Sequence, residues 1–294
     1  MTTEHPNAIL VRQFYEAFAA RDFAAPRSRR SRRTIPICTR WTHSGQRRLI
    51  SLREMCVHPN EAPLRPEEIE KLLNFQGYGN PRGEFWFLGM EEQGQGTELE
   101  LRWRSSFDEV EDLMGVHHRW EQFNPGDKFN AERLIPTWAT MSKIVRRLKG
   151  LSNWSDTEQV RRYQAERLGR LDGETFLTEI LPFPAWNTRD WPANPCFETR
   201  AQYEKEVRPK RISMLRELHE TYSPRYVFCY GTGNWAHHHD IFSDVSFEPI
   251  LDGRVLLGRS RSSTIVLTPF FAYYLMTNDL IDGIARALEA PPCA

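Results

Sequence analysis

The sequence has no Cys-x-x-Cys pair, no long apolar run and no excess of charge of either sign. Each absence closes a class of function. Its cysteines (Cys38, Cys56, Cys196, Cys229 and Cys293) are odd in number and scattered. That excludes a disulfide framework and argues against a cysteine-held zinc or iron–sulfur site. The most apolar stretch, Thr264 to Met276, falls short of the roughly 20 residues a membrane helix needs and contains Pro269. No membrane partner is expected. Met1 to Pro6 lack the apolar core of an export signal, so a cytoplasmic location is expected. No phosphate-binding Gly-x-x-x-x-Gly-Lys-Ser/Thr loop occurs. What is present, 40% hydrophobic and 12% aromatic residues in 294, is enough to build a buried core.

The net charge of zero conceals an asymmetry. Residues 27–53 hold nine arginines and no acid, residues 1–26 carry a balance of −1, and the rest therefore sums to −8. The arginine-rich segment has neither a helical nor a strand period, so residues 26–60 are expected to be a solvated linker able to contact phosphates. The acidic remainder weighs against a general nucleic-acid binder.

From about residue 61 the pattern becomes regular. Arg65-Pro-Glu-Glu opens a helix. Glu84 to Gly89 reads as a buried strand after the turn signal Gly77-Tyr-Gly-Asn-Pro. Leu134, Trp138, Met141, Val145 and Leu148 form a helical stripe, and Ser155-Asp-Thr-Glu158 is a capping box for the next helix. Phe176 to Leu181 is a second strand. Thr199-Arg-Ala-Gln202 caps a helix to Leu218 with a bend expected at Pro209. Tyr226 to Gly231 is a third strand, Gly233 to Phe242 a helix, Val255–Leu257 and Thr264–Leu267 two more strands, and Ile281, Ile284 and Leu288 mark a closing helix. Strands alternating with helices predict an α/β fold, a three-layer α/β/α domain with a mainly parallel sheet.

Ligands of such sheets sit beyond the carboxyl ends of the strands. Those ends carry Gly89-Met-Glu-Glu, Pro182 to Asn187, Tyr230-Gly-Thr-Gly and Thr268-Pro-Phe-Phe. Gly231-Thr-Gly233 also has two glycines of a dinucleotide loop, with Ala236 at the third position. His117-His118 and His237-His-His239 lack the three- or four-residue spacing of helical metal ligands, so no metal and no cofactor is expected. Cys229 reads as a packing residue within its strand. The cations of the Thr199 helix (Arg200, Lys205, Arg208, Lys210, Arg211 and Arg216) read as a solvated face able to meet phosphates.

Taken in order, these motifs resemble the uracil-DNA glycosylase superfamily over about residues 65–289. Gly79-Asn-Pro, Trp86-Phe-Leu-Gly89 and the acidic loop after them are similar to its first motif. Val227 to Gly231 is similar to its inner strand and Leu267-Thr-Pro269 to its closing His-Pro-Ser. The resemblance implies cleavage of the N-glycosidic bond of a flipped base, with nucleic acid or a nucleotide as partner. It places Glu91 or Glu92 as the base that orients water and Thr268 where the family's charge-stabilising histidine stands. It places Gly89, Glu179, Asn187, Gly231 and Pro269 around the substrate. Glu179 falls at the base-reading asparagine, and as a carboxylate would suit an edge bearing amino donors. Phe107, Phe183 and Trp186 are the candidate stacking aromatics. An alternative is a member of that fold that binds a nucleotide or nucleic acid without catalysis.

Residues 1–25 have a different likeness. Leu10-Val-Arg-Gln-Phe-Tyr-Glu-Ala-Phe with Arg21-Asp22 resembles the opening helix of NTF2-like (SnoaL-like) proteins. The third reading, an NTF2-like interaction protein, rests on that helix alone. Because the body carries its own complete set of elements, removing residues 1–60 should leave the thermal unfolding midpoint of the remainder unchanged, as measured by circular dichroism. A collapsed midpoint would make the N-terminal segment part of the fold.

Overall fold

The computed structural model describes residues 64–124, 133–185, 191, 196–272 and 274–289. The NTF2-like helix, the arginine-rich linker, Trp186 and Asn187 lie outside these residues. In chain order the elements are α1 (Pro66–Asn74), β1 (Gly77–Gly79), β2 (Phe85–Gln93), α2 (Glu98–Arg104), β3 (Val110–Glu111) and α3 (Leu113–Phe123). There follow α4 (Pro136–Leu148), α5 (Thr157–Glu166), β4 (Thr175–Ala185), α6 (Arg200–Tyr222), β5 (Tyr226–Tyr230) and α7 (Trp235–Ile241). The chain closes with β6 (Phe247–Ile250), β7 (Val255–Arg259), β8 (Thr264–Thr268) and α8 (Asn278–Glu289).

The strands form one eight-stranded sheet in the order β3-β1-β4-β2-β5-β8-β7-β6. Its centre, β4-β2-β5-β8, is parallel throughout, whereas β1 against β4, β7 against β8 and β6 against β7 are antiparallel. The fold is thus α/β as expected, but the sheet is mixed, with a parallel centre flanked by antiparallel strands. Side chains alternate across it. Trp86, Leu88, Phe176, Ile180, Val227 and Cys229 pack in one core with Tyr203 and Val207 of α6 and Trp235 of α7. Phe85, Phe87, Leu177, Phe228 and Val266 pack in the other with Val116 of α3, Met141 and Ile144 of α4 and Ile281 of α8. Both faces being covered, the central strands read as near-continuous apolar runs, which is why the sequence revealed them.

Several local readings change. Gly77 to Gly79 is a buried strand and not a turn. It runs so close to β4 that a Cβ at Gly79 would overlap the carbonyl oxygen of Thr175. The cap of α5 is Asp156, whose carboxylate accepts from the Gln159 backbone N–H, and not Ser155. Helix α6 continues through Pro209 to Tyr222 and ends on Ser223 at φ 48°. Thr199 does cap α6, its hydroxyl accepting from the Gln202 backbone N–H.

The expected solvated cationic face of α6 is mostly spent inside the molecule. Arg200 and Arg208 both pair with Glu204, and Arg216 donates to the carbonyls of Ile241 and Asp240. Arg211 is buried and donates to the main-chain oxygens of Phe75 at 2.7 Å and Glu179 at 2.8 Å. Burial pulls its pKa down to about 10, opposed by nearby Tyr203 and Glu179, so it stays charged at neutral pH. Arg211 therefore ties the end of α1 and the middle of β4 to α6. Arg211→Leu leaves both carbonyls without donors, at about 1–3 kcal/mol for each buried group. We expect a loss of at least about 2 kcal/mol in urea unfolding; an unchanged midpoint would show that these carbonyls need no guanidinium.

Candidate functional site

The chain enters the parallel centre at β2, moves to β4 on one side, then crosses to β5 on the other. The carboxyl ends of β2 and β5 therefore flank the point where the strand order reverses, the usual place for a ligand crevice in such sheets. Glu179 of β4 is in register with Gly89 of β2, and Tyr230 of β5 is in register with Thr268 of β8. Beyond the last paired residues of β2 and β5, Leu88 and Cys229, Gly89 lies beside Tyr230. Four of the residues singled out in the sequence, or their neighbours, thus fall in one row across four strands.

The centre of that row is a carboxyl–phenol pair. The Tyr230 hydroxyl donates to Glu179 Oε1 at 2.7 Å, passing over Gly89. A Cβ on Gly89 would overlap both Glu179 Oε2 and the Tyr230 oxygen, so the pair exists only because that position lacks a side chain. Glu179 Oε2 is buried and has no hydrogen-bond partner among the described residues. Burial pushes the Glu179 pKa up to about 8; the Tyr230 hydrogen bond opposes this, and the charges of Glu92 and Glu91 add to it. At neutral pH Glu179 is mainly a neutral acid. A neutral Glu179 offers an O–H donor where the sequence suggested an accepting carboxylate.

Glu91 and Glu92 separate onto opposite faces of the sheet, helped by an irregularity of register between Glu91 and Gln93. Glu91, 7% exposed, takes Nη2 of Arg200 on both oxygens, at 3.0 and 2.8 Å. Burial raises its pKa despite that contact. Glu92, 30% exposed, is anchored by Oε2 alone, which accepts from Tyr78 at 2.8 Å and Arg104 Nη1 at 2.7 Å. Burial works to raise its pKa, but the Arg104 charge and these hydrogen bonds outweigh it, and the net shift is downward. Its Oε1 makes no hydrogen bond among the described residues. Arg104, itself buried, also reaches Glu100 at 3.3 Å, and Glu100 accepts from the backbone N–H groups of Gln95 and Gly96. The loop after β2 is thereby held to the same guanidinium.

The remaining positions divide. Thr268 is fully buried and its hydroxyl donates to the carbonyls of Cys229 at 3.4 Å and Pro269 at 3.0 Å. Its single hydroxyl proton is thus directed at the backbone. Gly231, at φ +100°, turns the chain after β5, and Pro269 is half-buried after β8. Phe107 and Phe183 are core residues and cannot stack on a ligand. Phe270, part of the strand-end stretch Thr268-Pro-Phe-Phe but not among the expected stacking aromatics, is 48% exposed and its ring lies 6.0 Å from that of Tyr230. An aromatic directly after a strand-ending Thr-Pro was the available signal. The sequence reading missed Tyr78 and Arg104, which are distant in sequence from the motif they support.

Away from this row, His238 is fully buried and its pKa falls to about 3 through burial and its two histidine neighbours, so it is neutral. No group of three or more metal-ligating side chains occurs among the described residues. No helix among the described residues is long and apolar enough to cross a membrane. Comparison with family models, curated proteins and solved structures gives no match for this chain.

The neutral state of Glu179 has a consequence for stability. Between pH 4.5 and about 8 the unfolded chain has released a proton that the folded protein keeps, so stability from this group falls as pH rises across that window. Glu179→Gln carries no such dependence. Its stability relative to wild type should increase between about pH 5 and about pH 7.5 in urea unfolding. A constant difference would mean that Glu179 is ionised in the folded protein.

Proposed function

We propose that the chain is a uracil-DNA-glycosylase-like protein that takes a nucleobase into the crevice between β2 and β5 and hydrolyses its N-glycosidic bond. The three-layer arrangement and the strand-end motifs support that reading. What carries it is the pair Glu92 and Glu179, two carboxyl groups at one sheet end, the first held by Arg104 and Tyr78 and the second buried without a cation, so that their pKa values are pushed apart. Such a divergence is a mark of acid–base assignment. Glu92 is ionised, anchored through one oxygen, and keeps the other oxygen for a water. It is the general base of the proposal. Glu91, consumed by Arg200, is structural.

Glu179 and Tyr230 meet the edge of the base, and the exposed ring of Phe270 offers a flat apolar surface beside them. Glu179 Oε2 is buried, which strengthens any hydrogen bond made there. The acidic body and the internal use of the α6 cations favour a nucleoside, or a base in single-stranded nucleic acid, over extended duplex contacts. A second reading, a binder of the same ligand without catalysis, has one observation in its favour: the hydroxyl of Thr268 is already committed to the backbone.

Release of free base is the test, measured on nucleosides and on single- and double-stranded oligonucleotides carrying uracil, hypoxanthine or xanthine. The proposal expects release from at least one substrate and a loss of about 100-fold or more in kcat/KM for Glu92→Gln. Glu91→Gln should cost less than Glu92→Gln. Ligand binding without base release would select the second reading.

A further inference from the structure

Building on the N-glycoside reading, we infer that Glu179 is the general acid of the reaction, giving the proton on Oε2 to the departing base while Glu92 accepts one from water. The departing base carries the electron pair of the broken bond and needs a donor. The residue at the expected place, Thr268, has its hydroxyl committed to two carbonyls inside the protein. The phenol of Tyr230 is committed to Glu179 Oε1. Because Oε1 accepts that bond, the acid's own proton belongs on Oε2, the oxygen left without a partner among the described residues.

The charged surroundings keep the proton there. Glu92 and Glu91 of β2 act on Glu179 with negative charge, Tyr230 donates to it from β5, and Arg211 of α6 acts on it with positive charge from the other side of the sheet. Each nearby arginine is directed elsewhere: Arg211 to the main-chain oxygen of Glu179, Arg200 to Glu91, Arg104 to Glu92. Around Glu92 stand Tyr78 of β1, Arg104 of α2 and His117 of α3. No cation forms an ion pair with the Glu179 carboxyl among the described residues, so nothing there favours ionisation except the Tyr230 hydrogen bond and the more distant Arg211 charge.

The step balances. The bond from the sugar anomeric carbon to the base nitrogen breaks, and its electrons go to the base. The Oε2 proton of Glu179 goes to the base. The oxygen of water bonds to the anomeric carbon, and its proton goes to Glu92. Turnover leaves Glu92 protonated and Glu179 ionised, and proton exchange with solvent restores both.

The experiment compares the full-length wild type with Glu179→Gln on paired glycosides of uracil and 5-fluorouracil, the second of which leaves more readily without a proton. Gln can still accept from Tyr230, so the variant should unfold no more easily than wild type. Wild-type kcat/KM should fall about tenfold per pH unit above about pH 8. Glu179→Gln should lose that alkaline limb, fall about 100-fold or more on the uracil glycoside, and fall less on the 5-fluorouracil glycoside. A carbon-13 NMR titration of glutamate carboxyls should show Glu179 protonated at neutral pH. Equal losses on both glycosides with the alkaline limb retained would overturn the inference, as would a Glu179 carboxyl already ionised at neutral pH. Failure of the wild type to release any base would instead overturn the glycosidase reading itself.

Discussion

The missing side chain at Gly89 is the constraint on which the strand-end site depends. Tyr230 can reach Glu179 only by crossing the space above that residue, because β2 lies between β5 and β4. Any Cβ would occupy that space. The hydrogen bond covers the carboxyl from one side and by itself favours ionisation, but burial without a cation outweighs it and raises the pKa. Backbone geometry thus shapes the pair: one glycine in a strand interior, a position where glycine marks close approach, lets the phenol and the carboxyl meet across β2.

A similar logic distributes the two adjacent glutamates. A strand sends neighbouring side chains to opposite faces, so Glu91 and Glu92 meet different helices. Glu91 meets the start of α6, where Arg200 caps both its oxygens. Glu92 meets Tyr78 and Arg104, which hold one oxygen and lower its pKa. Arg104 in turn braces the loop after β2 through Glu100. The side chain that remains available for chemistry is the one anchored by a single atom. Its orientation follows from the guanidinium and the phenol behind it.

The sequence made the four central strands legible because burial on both faces leaves them nearly all apolar, but it ended two of them early: β2 continues past Gly89 to Gln93 and β4 past Leu181 to Ala185, where polar residues and prolines replace the apolar run. It concealed β1, β3 and β6, which are short, and β1 and β3 are defined by pairing partners far along the chain. At the site, Gly89, Glu179, Glu91 and Glu92 could be named from motif position. Which glutamate is free could not, since that depends on Arg104 and Arg200 arriving from two separate helices. The raised pKa of Glu179 was not legible, because it depends on burial and neighbours that only the fold assembles. Phe270 was not singled out as a stacking aromatic because exposure is decided after β8 ends, whereas Phe107 and Phe183 attracted notice by type and proved to be core.

The placement of Arg211 shows how stability and the site are coupled. A buried guanidinium close to a buried carboxyl would ordinarily form an ion pair, and Glu179 would then be ionised and useless as a donor. Here the guanidinium approaches β4 from the α6 side of the sheet, while the Glu179 side chain projects to the other side, toward Tyr230. Arg211 therefore reaches the main-chain oxygen of Glu179 and not its carboxyl, along with main-chain oxygens of Phe75, Leu73 and Ile180. Its charge is satisfied by carbonyl dipoles, and the carboxyl is left without a cation. The alternation of side chains along one strand separates a cation from an acid that lies within its electrostatic reach. That separation lets one residue contribute its backbone to the packing of α6 and its side chain to the crevice, without the first use cancelling the second.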